Sequence, residues 1–122
     1  MERLDYKTER LLLNKKTASG TMYDREYIVQ YRGQELRLPF LESVHAENLL
    51  FDLGPEIAVL TIDNRFDCVG LHLWTSLDDW TEPESVYLQS ESDLLALSAA
   101  IGEDWTEAEP ETILDNLLSL LA

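Results

Sequence analysis

The 122-residue sequence predicts a single α+β domain: an antiparallel sheet built from two hairpins, a short middle helix and two C-terminal helices. Three observations predict this class. Runs of strand-forming residues flank short turns and so predict hairpins at about 26–40 and 57–75. The last third of the chain carries apolar residues at helical spacing between capping residues. With 45% apolar residues at a common domain size, residues 1–122 should form one core.

The first hairpin joins Tyr27–Tyr31 to Glu35–Phe40 through a turn that contains Gly33. Both arms are rich in strand-forming residues, and the second alternates apolar and polar side chains between its two faces. Pro39 lacks the N–H that a ladder needs, so this arm should end there or lie at a sheet edge. Upstream, residues 10–13 predict an earlier strand.

The second hairpin joins Ile57–Asp63 to Cys68–Thr75 across a turn at 64–67. Alternation along the return strand divides its side chains between two faces. One face holds Val69, Leu71 and Leu73, and the other holds Gly70, His72 and Trp74.

The segment between the hairpins predicts the short middle helix. Its apolar residues lie at positions 41, 44, 46, 49 and 50, closer to a helical period than to the period of a strand. Gly54 and Pro55 should end this helix, because both residues break regular structure.

The C-terminal third predicts a short strand at Ser85–Gln89 and then two helices. Ser90 can cap the first helix, which should run to about Ile101, with Gly102 just beyond its end. The last helix should begin near Pro110, an accepted first-turn residue. Its apolar residues form one broad stripe, at positions 113, 114, 117, 118, 120 and 121.

The net charge of −15 is distributed one-sidedly. Residues 1–40 hold eight Lys or Arg against six Asp or Glu, whereas residues 41–122 hold Arg65 alone against eighteen. Such an excess repels itself and costs stability, so it favours a function in solubility or in binding a basic protein. Binding to nucleic acid or to an anionic membrane surface depends on Lys and Arg, so neither is predicted.

The cellular location is predicted from three features. Cys68 is the single cysteine, so an intrachain disulfide is impossible. No apolar run approaches about 18 residues, and the charged start at 1–5 lacks the apolar core of a signal peptide. These features predict a cytoplasmic protein.

Residues suited to catalysis are few. Cys68 and His72 share a strand face, but their spacing of four residues separates them by about 13 Å, too far for a nucleophile and its base. The turn at 63–67 groups oxygen ligands but lacks the glycine and distal glutamate of a calcium-binding loop. The five glycines are scattered and form no phosphate-binding loop. The sequence therefore predicts no enzyme, no metal and no cofactor.

The tetrapeptide Asp-Trp-Thr-Glu occurs twice, at Asp79–Glu82 and Asp104–Glu107, each time after another acid. One interpretation is structural: both copies contain the Thr-x-x-Glu of a capping box, with the tryptophan packed on the core. The other is functional, because tryptophan is enriched among binding hot spots and carboxylates steer a cationic partner. The predicted partner-binding residues are Asp78, Asp79, Trp80, Glu82, Glu84, Glu103, Asp104, Trp105 and Glu107.

Two classes of function fit this sequence. The first is an immunity- or antitoxin-type inhibitor that occludes the cationic site of a basic, nuclease-like toxin and is able to work as a monomer; a DNA-mimicking inhibitor is a related version. The second is an acidic export or assembly chaperone that acts as a homodimer. The leucine-rich end at 113–121 could form its dimer face, although core packing is the other use of that stripe.

Overall fold

Two antiparallel sheets and a layer of helices make up the protein in a computed structural model. The structure describes residues 2–10, 15–17, 20–31, 33–43, 46–54, 56–63, 68–74 and 84–121. Within these ranges the strands are β1 (Glu2–Leu4), β2 (Tyr6–Arg10), β3 (Lys15–Thr17), β4 (Gly20–Tyr31), β5 (Gln34–Ser43), β6 (Glu47–Asp52), β7 (Ile57–Asp63), β8 (Cys68–Trp74) and β9 (Glu84–Leu88). The helices are α1 (Glu91–Ile101), a 3₁₀ helix (Trp105–Glu107) and α2 (Pro110–Leu121).

The central sheet has the strand order β1-β6-β7-β8-β9, and all of its neighbouring strands are antiparallel. The β7–β8 pair is the hairpin predicted at 57–75, and its Ile57 lies opposite Trp74. β6 also pairs with β7, through a loop in which the N–H of Gly54 donates to Asp52 Oδ1 at 2.8 Å. Gly54 has a φ of 97°, a conformation that suits glycine.

The outer sheet is built around β4, which pairs with β2, β3 and β5. The β4–β5 pair is the first predicted hairpin, although both strands are longer than expected. It closes with Tyr31 opposite Gln34, and Gly33 turns the chain with a φ of 78°. β5 continues through Pro39 and pairs with β4 alone among the described strands, so the proline lies on an edge strand.

Two hydrophobic cores fill the spaces between the three layers. The inner core lies between the two sheets and contains Tyr27, Val29, Tyr31, Leu36, Leu38, Leu50, Ile57, Val59 and Trp74. The helical core lies between the central sheet and the helices and contains Phe51, Ala58, Leu60, Val69, Leu71, Leu94, Leu97, Trp105, Ile113, Leu114 and Leu117. The central sheet is therefore covered on both faces.

The prediction of a middle helix over 41–51 is wrong: β5 reaches Ser43, and β6 is a strand. The cause is burial on both faces of the central sheet. Leu50 faces the inner core and Phe51 faces the helical core, and neither side chain is exposed. A strand that is buried on both sides loses the alternation of apolar and polar residues, so its apolar positions can mimic a helical period.

One further expectation is corrected. The sequence predicted one sheet, but the hairpins belong to two sheets packed face to face. The early strand predicted at residues 10–13 shares only Arg10 with β2 (Tyr6–Arg10), and residues 11–14 lie outside the described part. The predicted turn at 64–67 also lies outside it.

The predicted helix boundaries are confirmed by their caps. Ser90 Oγ accepts a hydrogen bond from the N–H of Asp93 at 3.2 Å, and α1 begins at the next residue, Glu91. Gly102 follows the helix with a φ of 91°, and its N–H donates to Ser98 O at 2.9 Å. α2 starts at Pro110 as expected. Neither helix is long and apolar enough to cross a membrane within the described residues.

Tyrosine hydroxyls join the two sheets where the inner core meets their backbones. Tyr6 in β2 donates to Asn48 O in β6 at 2.7 Å, and its ring meets that of Tyr27 edge to face at 4.8 Å. Tyr31 donates to Gly54 O at the other end of β6. These hydrogen bonds link the outer sheet to the central sheet, because each joins a tyrosine hydroxyl of the first to a backbone carbonyl of the second. Each bond also satisfies polar groups at the margin of the apolar inner core.

A pair of leucines on α1 tests how strongly the helical core holds this helix. Leu97 is fully buried, so Leu97→Ala should lower the free energy of unfolding by about 2–5 kcal/mol. Leu95 is 62% exposed, so Leu95→Ala should change it by less than about 0.5 kcal/mol. Chemical denaturation followed by circular dichroism measures both. Equal effects of the two substitutions would contradict this packing of α1.

Candidate protein-binding surface

The acidic residues of the C-terminal third lie on the solvent side of the helices. We call this set the acidic helical layer, and every one of its carboxylate side chains is exposed. It comprises Glu91, Asp93, Glu103, Asp104, Glu107, Glu109, Glu111 and Asp115. Residues 89–121 contain no Lys or Arg, so nothing within this segment neutralises the layer.

Helix geometry explains why the acids lie together. The inward positions of α1 and α2 hold the leucines and isoleucine of the helical core, so polar residues are left to the outward face. Glu91 and Asp93 lie in the first turn of α1, and Glu111 lies in the first turn of α2. Carboxylates there are stabilised by the positive end of the helix macrodipole, which offsets part of their mutual repulsion.

On the outer sheet, charged side chains of opposite sign lie next to one another. Arg37 Nη1 lies 2.7 Å from Glu26 Oε1, and Arg37 Nε lies 3.6 Å from Glu35 Oε2. Cations and anions are thus interleaved on this sheet, whereas the acidic helical layer carries one sign only. The charge asymmetry of the sequence becomes an asymmetry between opposite layers of the molecule.

The second Asp-Trp-Thr-Glu segment forms the 3₁₀ helix between α1 and α2. Asp104 caps it: Oδ1 accepts hydrogen bonds from the Thr106 N–H at 3.0 Å and from the Thr106 hydroxyl at 2.8 Å. These two hydrogen bonds lower the pKa of the Asp104 carboxyl, and the bond from the backbone N–H has the larger effect. Trp105 is only 5% exposed and belongs to the helical core. Its backbone N–H donates to Ser98 Oγ at 3.1 Å, which ties the segment to α1.

The hydrogen bonds around this segment show whether Thr106, as in a capping box, or Pro110 begins the last helix. Glu109 O accepts from the N–H of Thr112 at 3.0 Å and of Ile113 at 3.1 Å, so α2 begins at Pro110. Thr106 bonds to Asp104. Asp104 therefore caps the 3₁₀ helix, and α2 begins separately at Pro110 after Glu109. Thr106 does not begin a longer helix.

The structure brings four of the predicted partner-binding residues together: Glu103, Asp104, Trp105 and Glu107 share the connection between α1 and α2. Glu84 lies apart from them, exposed at the start of β9. The remaining residues of the first segment lie outside the described part of the chain; they are Asp78, Asp79, Trp80 and Glu82.

A cleft opens between α1 and the 3₁₀ helix. Its volume is about 620 Å³. It is lined by Gln89, Glu91, Leu94, Leu95, Ser98, Asp104, Trp105 and Thr106. Sequence reasoning missed Leu95 as part of this surface. The spacing of Glu91, Leu95 and Ser98, which places them on one face of a helix, was a signal for one wall of the cleft. The opposite wall depends on how the 3₁₀ helix packs back against α1, which the sequence does not show.

His72 and Ser85 form a polar pair on the face of the central sheet opposite the helices. His72 Nδ1 lies 2.7 Å from Ser85 Oγ, and the imidazole meets the Tyr87 ring edge to face at 5.2 Å. His72 is only 3% exposed, so this strand histidine is buried. Burial lowers the pKa of His72 to about 4, which makes its imidazole a weak base at neutral pH.

Cys68 lies on the same face as His72, but Gly70 and the Tyr87 ring come between them. A Cβ at Gly70 would lie 2.9 Å from Tyr87 Cδ1, so this ring covers the glycine closely. Burial, and then the charge of Asp63, raise the pKa of the Cys68 thiol. The thiol is therefore protonated at neutral pH and separated from the histidine by an aromatic side chain.

Comparisons with known proteins give no relatives. No protein-family model, no curated protein and no solved structure matches this chain. Within the described residues, no group of three or more His, Cys, Asp or Glu side chains is placed to hold a metal ion. The acidic helical layer and its cleft are therefore interpreted from their own chemistry.

The buried imidazole makes stability depend on pH. An unfolded His72 titrates near 6.5, whereas the folded one titrates at about 4, so the unfolded chain binds more protons between these values. Stability should therefore fall as the pH drops from about 6.5 to 4, by up to about 3 kcal/mol relative to His72→Gln, which cannot protonate. Urea denaturation at pH 7, 5.5 and 4 measures this difference.

His45→Gln provides the comparison for that experiment, since it removes the other histidine. A pH-dependent difference between wild type and His72→Gln that is retained in the His45→Gln background assigns the effect to His72. A difference that is constant from pH 7 to pH 4 would contradict the desolvation of this imidazole.

Proposed function

We propose that the protein is an acidic binding protein that neutralises a basic protein partner. It would act as an immunity- or antitoxin-type inhibitor that occludes the cationic site of a nuclease-like toxin in the cytoplasm. The observation that carries this proposal is the acidic helical layer: eight exposed carboxylates on two helices and their connection, with no cation between residues 89 and 121.

The chemistry of a nuclease site explains why such a layer is suitable. An enzyme that holds phosphates needs a cationic surface, and a rigid array of carboxylates competes for the same groups. One-sided charge also accelerates encounter by roughly 10 to 10³-fold, an advantage for an inhibitor that must act early. Because α1 and α2 are held by the helical core, the backbone that carries the carboxylates needs little ordering when the partner binds.

The chaperone alternative depended on the leucine-rich end as a dimer face. In the folded chain, Ile113, Leu114 and Leu117 are buried against the central sheet, so these three positions of the stripe are used within the domain. The inhibitor is the function we favour, because its surface is available in a single copy of the chain.

Affinity capture from the native host tests the proposed function directly. The tagged chain should retain a basic protein at about 0.1 M salt and release it near about 1 M. The reason is that the Debye length falls from about 10 Å to about 3 Å, so the attraction between exposed charges is largely screened. The purified chain should then suppress the activity of that protein at equimolar concentration. Failure to retain any basic protein, or activity unchanged by an excess of the chain, would refute the proposal.

Charge reversal maps the surface once this partner is in hand. Glu107→Lys with Asp115→Lys should slow association by about tenfold or more, because both substitutions place cations within the acidic helical layer. Glu2→Lys with Asp5→Lys adds the same charge at exposed sites in the N-terminal part of the chain and should slow it by less than about threefold. Surface plasmon resonance measures both rates. Equal slowing by the two pairs would mean that net charge, and not this layer, controls binding.

The first Asp-Trp-Thr-Glu segment is tested in the same assay. Asp79→Lys with Trp80→Ala should abolish partner binding and leave the circular dichroism spectrum and the unfolding midpoint of the domain unchanged. Binding with unchanged affinity would remove residues 78–82 from the predicted surface.

A further inference from the structure

The cleft between α1 and the 3₁₀ helix combines an apolar floor with an acidic rim. Leu94, Leu95 and Trp105 supply its apolar atoms, and Glu91 and Asp104 supply its charges. Leu95 is 62% exposed, while the neighbouring Leu94 is largely buried. A large apolar side chain thus stands in water beside a concave surface, an arrangement typical of binding sites.

The walls of the cleft are fixed by hydrogen bonds from both sides. Ser98 Oγ accepts from the Trp105 N–H at 3.1 Å, and Ser98 O accepts from the Gly102 N–H at 2.9 Å. Asp104 is held by its two hydrogen bonds from Thr106, which also lower the pKa of its carboxyl. A ligand would therefore meet a preformed site and would not have to order it.

The charges around the cleft decide what can occupy it. Glu91 and Asp104 are its only charged lining residues among those described, and both are acidic. A second copy of this chain would bring another acidic layer against the first, and an anionic lipid or nucleic acid would be repelled in the same way. A basic protein segment is the complementary occupant.

We propose that this cleft holds an arginine and an adjacent apolar side chain from a basic segment of the partner protein. The guanidinium binds at the Glu91 and Asp104 rim, and its aliphatic stem and the apolar neighbour cover Leu95. Arginine suits this site better than lysine, because its planar fork binds carboxylates in a bidentate manner. This inference rests on the proposed function and identifies the chemistry of the partner at one point of the acidic helical layer.

Two synthetic hexapeptides test the inference with the full chain. One alternates Arg and Leu, the other alternates Arg and Ser, and both carry three cationic side chains. The Arg/Leu peptide should bind about fivefold more tightly, because only it supplies the apolar neighbour that covers Leu95 together with the arginine stem. Titration followed by ¹⁵N–¹H NMR should place its largest shifts at the amides of Leu95, Ser98 and Thr106.

Two matched pairs of variants assign the site. Leu95→Ser should remove the preference for the Arg/Leu peptide, whereas Tyr87→Ser, at a residue 48% exposed outside the helices, should retain it. Glu91→Gln should weaken both peptides by about threefold or more, whereas Glu111→Gln, outside the cleft, should have a smaller effect. The NMR spectra of the free variants establish that each one is folded.

Equal affinity for the two peptides, or a preference that survives Leu95→Ser, would overturn the inference. In that case shifts spread over Glu107, Glu111 and Asp115 would still leave the acidic helical layer as a binding surface, and the proposed function would stand. Failure of the proposed function is a different result: the captured basic protein would keep its activity in the presence of the chain, whatever the peptides do.

Discussion

The rest of the structure depends on burial of the central sheet on both faces. Leu50 and Phe51 are adjacent in β6 and are both fully buried, one in each core, so the sheet needs a cover on each side. The outer sheet supplies one cover and the helices supply the other. Two layer spacings of roughly 10 Å therefore separate the cations of the outer sheet from the acidic helical layer. Since that separation exceeds the Debye length of about 8 Å at physiological salt, the cations of the outer sheet are too far away to neutralise these acids.

Local signals predicted the parts of the fold that depend on local chemistry. The turn at Gly33, the cap at Ser90 and the start of α2 at Pro110 need only neighbouring residues, and all three are present. The sequence could not assign hairpins to separate sheets, because pairing of β1 with β6 joins residues almost fifty positions apart. The middle helix was predicted wrongly for a related reason: whether a strand is buried on both faces is decided by distant layers.

The candidate surface was predictable in composition but not in shape. The second Asp-Trp-Thr-Glu copy has a structural explanation for most of its residues: Asp104 caps, Trp105 packs in the core and Thr106 hydrogen-bonds to the cap. The second copy is therefore accounted for largely by capping and by packing in the helical core. What it contributes to the surface is its exposed carboxylates and the wall of a cleft, and the opposite wall comes from Leu95 on a different helix.

The acidic helical layer and the two cores have opposite effects on stability. Carboxylates of one sign on neighbouring helices repel one another, and this repulsion lowers the stability of the domain. Burial of apolar side chains on both faces of the central sheet offsets that cost and keeps the layer rigid before any partner arrives. A cationic partner that binds only the folded chain relieves the repulsion and so stabilises the fold through linkage. The same carboxylates that weaken the isolated protein would thus contribute to the affinity of the complex, because their repulsion is lost when it forms.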